Sequence, residues 1–206
     1  MGKNSSFWDK YAAFYDFEIN LLNKKAYQEM YNLMTDSLSK EMNLLEVATG
    51  TGLVALNISE YVKHIEAIDF SMRMIKKAKK KRVPANICFS VADAMNLPYE
   101  DDSFDACIIS NALHIMSEPE IVLENISRVL KPNGLLIAPT YTHGHLSDEV
   151  WERNAKTLKF FGLGSYPKRT PNEYVEFIQR NGFNVLNHKV LDAAFPLVYL
   201  EALNSK

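Results

Sequence analysis

The chain reads as an α/β fold: a parallel sheet covered by helices on both faces. Three observations predict it. First, apolar strand-like runs alternate with helix-period segments from residue 44 to residue 140. Second, the run Leu44-Leu45-Glu46-Val47 breaks into the small-residue loop Ala48-Thr49-Gly50-Thr51-Gly52 and enters a helical pattern at Leu53. Third, the next run, Ile65-Glu66-Ala67-Ile68, ends in Asp69, 19 positions after Gly50 and thus one helix and one strand further on. A loop without bulky side chains lets a ligand lie against backbone N–H groups. An acidic residue at the end of the following strand can accept hydrogen bonds from ribose hydroxyls.

Each element has its own signal. An N-terminal aromatic cluster (Phe7, Trp8, Tyr11, Phe14, Tyr15, Phe17) precedes a helix with Tyr27, Met30, Tyr31, Met34 and Leu38 on one face. Strands are expected near 44–48, 64–69, 86–91, 104–110 and 134–140, and helices near 51–61, 71–82 and 119–131. Ser117 and Glu120 have the spacing of a capping box, with Pro119 in the first turn. Lys131-Pro132-Asn133-Gly134 reads as a turn into the fifth strand. Beyond residue 140, Ser147 can cap a helix carrying Val150, Trp151, Leu158 and Phe161, and residues 161–168 read as a surface loop. Thr170, Pro171 and Glu173 open another helix, which Gly182 stops. Strands near 183–191 and 195–202, joined by Asp192-Ala193-Ala194, predict an antiparallel hairpin.

Composition narrows the function classes. A chain of 206 residues with 47% hydrophobic residues suits one domain. A formal charge of −2 gives no nucleic-acid or anionic-membrane footprint. The basic run Lys76–Arg82 reads as the solvated face of a helix, because Met72, Ile75 and Ala78 keep helical spacing. Cys88 and Cys107 fall in strand segments, read as small buried hydrophobes, and show no metal-ligand spacing. No signal peptide or long apolar span is visible, so a reducing cytoplasm is the expected location.

The strand ends carry the chemistry. The carboxyl ends of parallel strands face a crevice at the point where strand order reverses. The helix after Gly52 offers N–H groups to a carboxylate or phosphate. Asp93 could accept from an adenine amino group, with Met95 or Phe70 on the base face. Asn111 and His114 follow the fourth strand, over the middle of the crevice. A dinucleotide site calls for G-x-G-x-x-G. Here Ala48 and Leu53 replace the first and third glycines, so the loop alone does not choose the cofactor.

Four segments in order resemble the class I S-adenosylmethionine-dependent methyltransferases. Glu46–Gly52 resembles their motif I, and Asp69 their acidic second-strand residue. Ala92-Asp93-Ala94 with Leu97–Asp105 resembles the approach to their fourth strand, and Arg128–Leu136 the entry into their fifth. The likeness is strongest to the ubiquinone/menaquinone-biosynthesis type and the type 11 group, over roughly residues 8–140. It implies a Rossmann-like seven-stranded sheet of order 3-2-1-4-5-7-6 with an antiparallel final hairpin. It also implies one domain over 1–206, with an N-terminal helical cap at 1–40 and an acceptor-side insert at 141–170. The cofactor implied is S-adenosylmethionine, leaving as S-adenosylhomocysteine. Glu46, Ala48, Thr49, Gly50, Thr51 and Gly52 would hold its methionine part. Asp69 would take the ribose hydroxyls, Phe70 and Met72 would lie beside the adenine, and Asp93 and Ala94 would meet its edge, near Met95. Asn111 would sit near the sulfonium, with Tyr11 and Tyr15 closing over the site.

Methyl transfer from a sulfonium is an in-line displacement, so alignment and water exclusion matter most. A general base is needed only if the acceptor must lose a proton. The candidates for catalysis are His114, Tyr15 and His143, with His145 and Tyr141 nearby in sequence. No metal is expected. The partner expected is a small, partly apolar methyl acceptor, with homodimerisation open and neither nucleic acid nor an inserted membrane involved. The alternatives are a nicotinamide-dependent oxidoreductase and a cofactor-binding module without turnover.

Overall fold

The computed structural model describes residues 24–142, 169–193 and 196–206. The N-terminal aromatic cluster with Tyr11 and Tyr15, His143 and His145, the helix expected after Ser147 and the loop at 161–168 lie outside the described residues. Helix α1 (Lys24–Ser37) buries Ala26, Tyr27, Met30 and Met34, the periodic face read from the sequence. Strand β1 (Asn43–Val47) leads through the small-residue loop into a short helix α2 (Leu53–Ile58), which ends in a 3-10 turn over Ser59–Tyr61. Strand β2 (His64–Asp69), helix α3 (Met72–Ala78) and strand β3 (Ile87–Val91) follow. Then come β4 (Phe104–Ile109), α4 (Pro119–Val129), β5 (Leu130–Ile137) and β6 (Thr140–Tyr141). Helix α5 (Pro171–Arg180) and strands β7 (Phe183–Leu191) and β8 (Leu197–Asn204) complete the described chain.

The sheet has eight strands rather than seven. Its order is β3-β2-β1-β4-β5-β8-β6, with β7 on the other side of β8. Strands β1 to β5 pair in parallel, and β8 runs antiparallel to β5, β6 and β7. The extra strand has a local cause. Both β5 and β6 pair with β8, through Ile137↔Glu201 and Thr140↔Val198. Pro139, between them, has no N–H to donate. The fifth strand is therefore split at a proline, and the predicted order otherwise stands.

Alternation along the strands builds two cores. Leu44, Ile65, Ala67, Phe89 and Ile108 pack with α1, α2 and α3. Leu45, Val47, Ile68, Cys107 and Ile109 pack with α4 and α5 on the opposite face. Tyr174 of α5 also donates its hydroxyl to the Ala138 carbonyl at 2.7 Å, tying this layer to the end of the fifth strand.

Several local readings change. Helix α4 is capped at Glu118 with no side-chain hydrogen bond, so Ser117 and Glu120 form no capping box, although Pro119 does occupy the first turn. Thr170 and Glu173 form theirs in full. Helix α3 stops at Ala78, so the basic residues beyond it are not part of a helical face. One of them, Lys81, donates to the Thr51 carbonyl at 2.9 Å. Cys107 is buried, but Cys88 is exposed. Cys88 lies on the face of β3 opposite Phe89, and no helix follows between β3 and β4 to cover it.

Candidate functional site

The carboxyl ends of β1, β2, β3 and β4 meet where the strand order reverses, between β1 and β4. The loop after β1 is held in an unusual backbone conformation. Ala48, Gly50 and Gly52 all have positive φ, at 57°, 56° and 78°. Ala48 is the costly member, because a left-handed residue with a Cβ is disfavoured by about 1–2 kcal/mol. Gly52 is required for a second reason: a Cβ there would stand 2.5 Å from the Phe89 ring.

Asp69 holds this loop in place. One carboxylate oxygen accepts from Gly50 N–H at 2.9 Å and the other from Ser71 N–H at 2.8 Å. A buried carboxylate so bonded ties the loop after β1 to the end of β2. Ser71 in turn caps α3 by accepting from Met74 N–H.

Glu46 has a role the sequence did not show. Its Oε2 accepts from Ala55 N–H at 3.0 Å, inside the first turn of α2, whose N-cap residue Gly52 has no side chain to offer. That donor, expected to face a ligand, is taken by the protein itself. Burial pushes the Glu46 carboxyl up to about 8, and the Asp69 charge adds to this. The Ala55 N–H and the nearby Thr49 hydroxyl oppose the rise without reversing it.

The other predicted residues are placed as follows. Thr49 and Thr51 are buried, and Thr49 Oγ1 has no hydrogen bond of normal geometry among the described residues. Phe70, Met72 and Met95 are exposed apolar side chains just beyond β2 and β3. Asp93 folds back on its own turn, accepting from Met95 N–H at 3.0 Å, and Ala94 lies within that turn. Asn111 has a φ of 52°, and its Oδ1 is buried without a partner among the described residues. His114 Nδ1 lies 2.9 Å from Thr140 Oγ1, and its ring meets Tyr141 edge-on at 5.9 Å. Burial draws the His114 pKa down to about 4, so the ring is neutral at physiological pH. Tyr27 was read only as a core residue, yet its hydroxyl accepts from Asn111 Nδ2 at 2.8 Å. Nothing in the sequence links two positions 84 residues apart.

A family model described as a methyltransferase domain, of the type 11 group, matches residues 45–138. A demethylmenaquinone methyltransferase of Paenarthrobacter aurescens is 32% identical over 68% of this chain and 55% of its own length. That of Staphylococcus saprophyticus is 28% identical over 81% of this chain and 76% of its own. Over residues 45–138 the chain therefore carries a methyltransferase domain of the type 11 group. The chain spans little more than half the length of the first curated relatives it matches, 55% and 59%.

Solved structures confirm the methyltransferase fold. A Haloferax volcanii putative methyltransferase, solved in complex with the Trm112 activator, superposes with a TM-score of 0.82 at 17% identity, covering 97% of this chain and 98% of that one. A putative methyltransferase from Bacillus halodurans gives 0.73 at 16% identity, over 87% of this chain and 100% of its own. The [4+2]-cyclase SpnF gives 0.71 at 21%, over 85% and 80%. That last neighbour illustrates that a fold hosts more than one chemistry, so the site itself must argue the reaction.

The cofactor of the family is S-adenosylmethionine, and the strand ends fit it. Asn111 Oδ1, buried and without a partner among the described residues, follows the end of β4, and the buried Thr49 hydroxyl, beside Glu46, follows the end of β1. A buried polar atom left unpaired is costly unless a ligand or water completes it. Exposed apolar side chains stand just past β2 and β3, where a base would need a nonpolar face. Among the described residues no group of His, Cys, Asp and Glu could hold a metal ion.

The raised Glu46 pKa has a measurable consequence. A carboxyl whose pKa is higher folded than unfolded keeps its proton in the native state while the unfolded chain loses it. Stability therefore falls as pH rises from about 4.5 towards 8. His114 acts in the opposite sense between about 4 and 6.5, so the Glu46 effect stands clear above 6.5. Between pH 6.5 and 8, Glu46→Gln should remove up to about 1.4 kcal/mol per pH unit of slope. Urea unfolding across that range checks it; equal slopes in both proteins would refute the assignment.

Proposed function

We propose that this chain catalyses S-adenosylmethionine-dependent methyl transfer to a small, largely apolar acceptor. The observation that carries the reading is the buried Asn111 Oδ1 past β4, without a partner among the described residues, beside a loop that Asp69 ties to the end of β2. The relatives named demethylmenaquinone methyltransferases act, by that name, on demethylmenaquinone, and a largely apolar acceptor of that class suits this chain. We place the reaction in the cytoplasm, where the free thiols Cys88 and Cys107 remain reduced. No helix among the described residues is long and apolar enough to cross a membrane.

The cofactor supplies an already activated methyl group, so the chain's own residues mainly bind, orient and exclude water. In this reading Ala48, Thr49, Gly50, Thr51, Gly52 and Asn111 hold the methionine part, with Glu46 supporting the loop from beneath. Asp69 receives the ribose hydroxyls, since each carboxylate oxygen can accept more than one hydrogen bond. Phe70, Met72, Met95, Asp93 and Ala94 hold the adenine. In the same reading Tyr11 helps bind the cofactor, and Tyr15 and His143 serve the transfer to the acceptor.

His114 is the candidate general base. Burial keeps its ring neutral, and so in its basic form, across the physiological range. Thr140, bonded to Nδ1, fixes its orientation.

Two measurements check this reading. Calorimetry should show S-adenosylhomocysteine bound by the wild type and at least about tenfold more weakly by Asp69→Asn, a loss of about 1.4 kcal/mol. Absence of binding to the wild type, or equal affinity in the variant, would sink the cofactor assignment. If His114 is the base, kcat/KM with an accepted quinol or phenol should fall in acid with a midpoint near 4. His114→Gln should abolish that limb; an unchanged profile would return His114 to a packing role.

A further inference from the structure

We propose that residues 73–82, with the exposed apolar side chains beside them at the strand ends, form a surface that docks on an anionic lipid bilayer.

The charge distribution points there first. No Asp or Glu stands between Asp69 and Asp93, and that stretch holds seven basic residues, from Arg73 to Arg82. The other 16 basic residues are set against 25 acidic ones. The formal charge of −2 therefore conceals a strongly basic segment on an otherwise acidic chain.

The fold turns this segment outward. Helix α3 buries Met74, Ile75 and Ala78. Arg73 and Lys76 lie about one turn apart on its exposed side. Beyond α3, Lys80 N–H donates to the Lys77 carbonyl at 3.2 Å and Lys81 N–H to the Ala78 carbonyl at 3.1 Å. These turn bonds keep Lys79 and Lys80 at the helix end. Lys81 is engaged by the Thr51 carbonyl. By contrast, Lys76, Lys79, Lys80 and Arg82 are exposed and make no side-chain hydrogen bond or ion pair among the described residues.

At the other end of α3 the surface becomes apolar. Phe70 and Met72 flank the N-cap residue Ser71, Val91 ends β3, and Met95 follows four positions on. The backbones are joined here: Asp69 registers with Val91, and Ala92 N–H donates to the Asp69 carbonyl at 3.2 Å. These are four of the eight large apolar side chains that the described residues expose.

An apolar group beside a cluster of roughly four to eight Lys and Arg supplies two membrane signals: shallow burial among headgroups and attraction to anionic lipid. Lysine outnumbers arginine five to two in the segment. A lysine is a compact point charge suited to a diffuse anionic surface, whereas the planar guanidinium suits nucleic-acid recognition. Of the four apolar side chains only Phe70 is aromatic, so bases would find no row of rings to stack on. Docking by this surface sets the carboxyl ends of β2 and β3 at the bilayer, where a largely apolar acceptor can enter from lipid. That consequence, unlike the docking itself, rests on the reading proposed above.

The test is flotation of the full chain with phosphatidylcholine vesicles, and with vesicles in which about one-third of the lipid is phosphatidylglycerol. The wild type should float with the anionic vesicles alone. It should be released at about 1 M salt, where the Debye length falls to about 3 Å. The variant Lys76→Gln/Lys79→Gln/Lys80→Gln/Arg82→Gln should partition at least about a hundredfold more weakly, since each such charge near the surface is worth about fivefold. The charge-keeping variant Lys76→Arg/Lys79→Arg/Lys80→Arg should float like the wild type. Both variants should bind S-adenosylhomocysteine within about twofold of the wild type, because none of these side chains belongs to the cofactor site. No flotation of the wild type, equal flotation with neutral and anionic vesicles, or unchanged partition of the Gln variant would overturn the inference. So would tighter binding of the wild type to single-stranded RNA than to anionic vesicles at the same salt. Charge-dependent flotation without any binding of S-adenosylhomocysteine would uphold the docking and remove the cofactor reading alone.

Discussion

The Asp69 carboxylate is the contact on which the rest of the site depends. It bridges Gly50 N–H and Ser71 N–H, and so joins two loops that the chain reaches one helix and one strand apart. Magnitudes show why the bridge is needed. Ala48 alone costs about 1–2 kcal/mol in its left-handed conformation. Each hydrogen bond to a charged acceptor contributes about 1.5–3 kcal/mol. The two bonds to Asp69 therefore offset the strain of the loop they hold. Ser71, fixed by the same carboxylate, goes on to cap α3, so the effect extends into the helix layer.

Burial sets the charges around this bridge. Glu46 and His114 are both pushed toward their neutral forms, one up to about 8 and the other down to about 4. Asp69 keeps backbone donors on both of its oxygens. A site expected to receive a cationic, zwitterionic ligand thus presents one well-supported carboxylate, a few neutral acceptors and little competing charge. The likeness of SpnF to this fold shows why such details matter more than the sheet that carries them.

Much of the fold was legible because the periodicity was clean. The strand runs sit beside small or acidic residues at their ends, and Thr170, Pro171 and Glu173 spell a helix start that the structure completes in full. The misreadings have local causes. Ser117 has capping-box spacing, but the helix starts one residue later, at a Glu118 that makes no cap bond. Pro139 cannot continue a ladder, so one predicted strand became two. Cys88 is exposed because the connection after β3 brings no helix over that face. Within the site, the residue types were readable but their partners were not. Glu46 bonding to Ala55 and Tyr27 bonding to Asn111 depend on how the α1–α3 layer seats against the sheet. Sequence spacing does not encode that seating.

The most direct test is a crystal structure with S-adenosylhomocysteine bound. The account predicts the ribose hydroxyls on Asp69 with its bonds to Gly50 and Ser71 intact, and the ligand beside Thr49 and Asn111 at the ends of β1 and β4. A ligand bound elsewhere on the chain, or one that displaces Gly50 from Asp69 to reach the carboxylate, would contradict it.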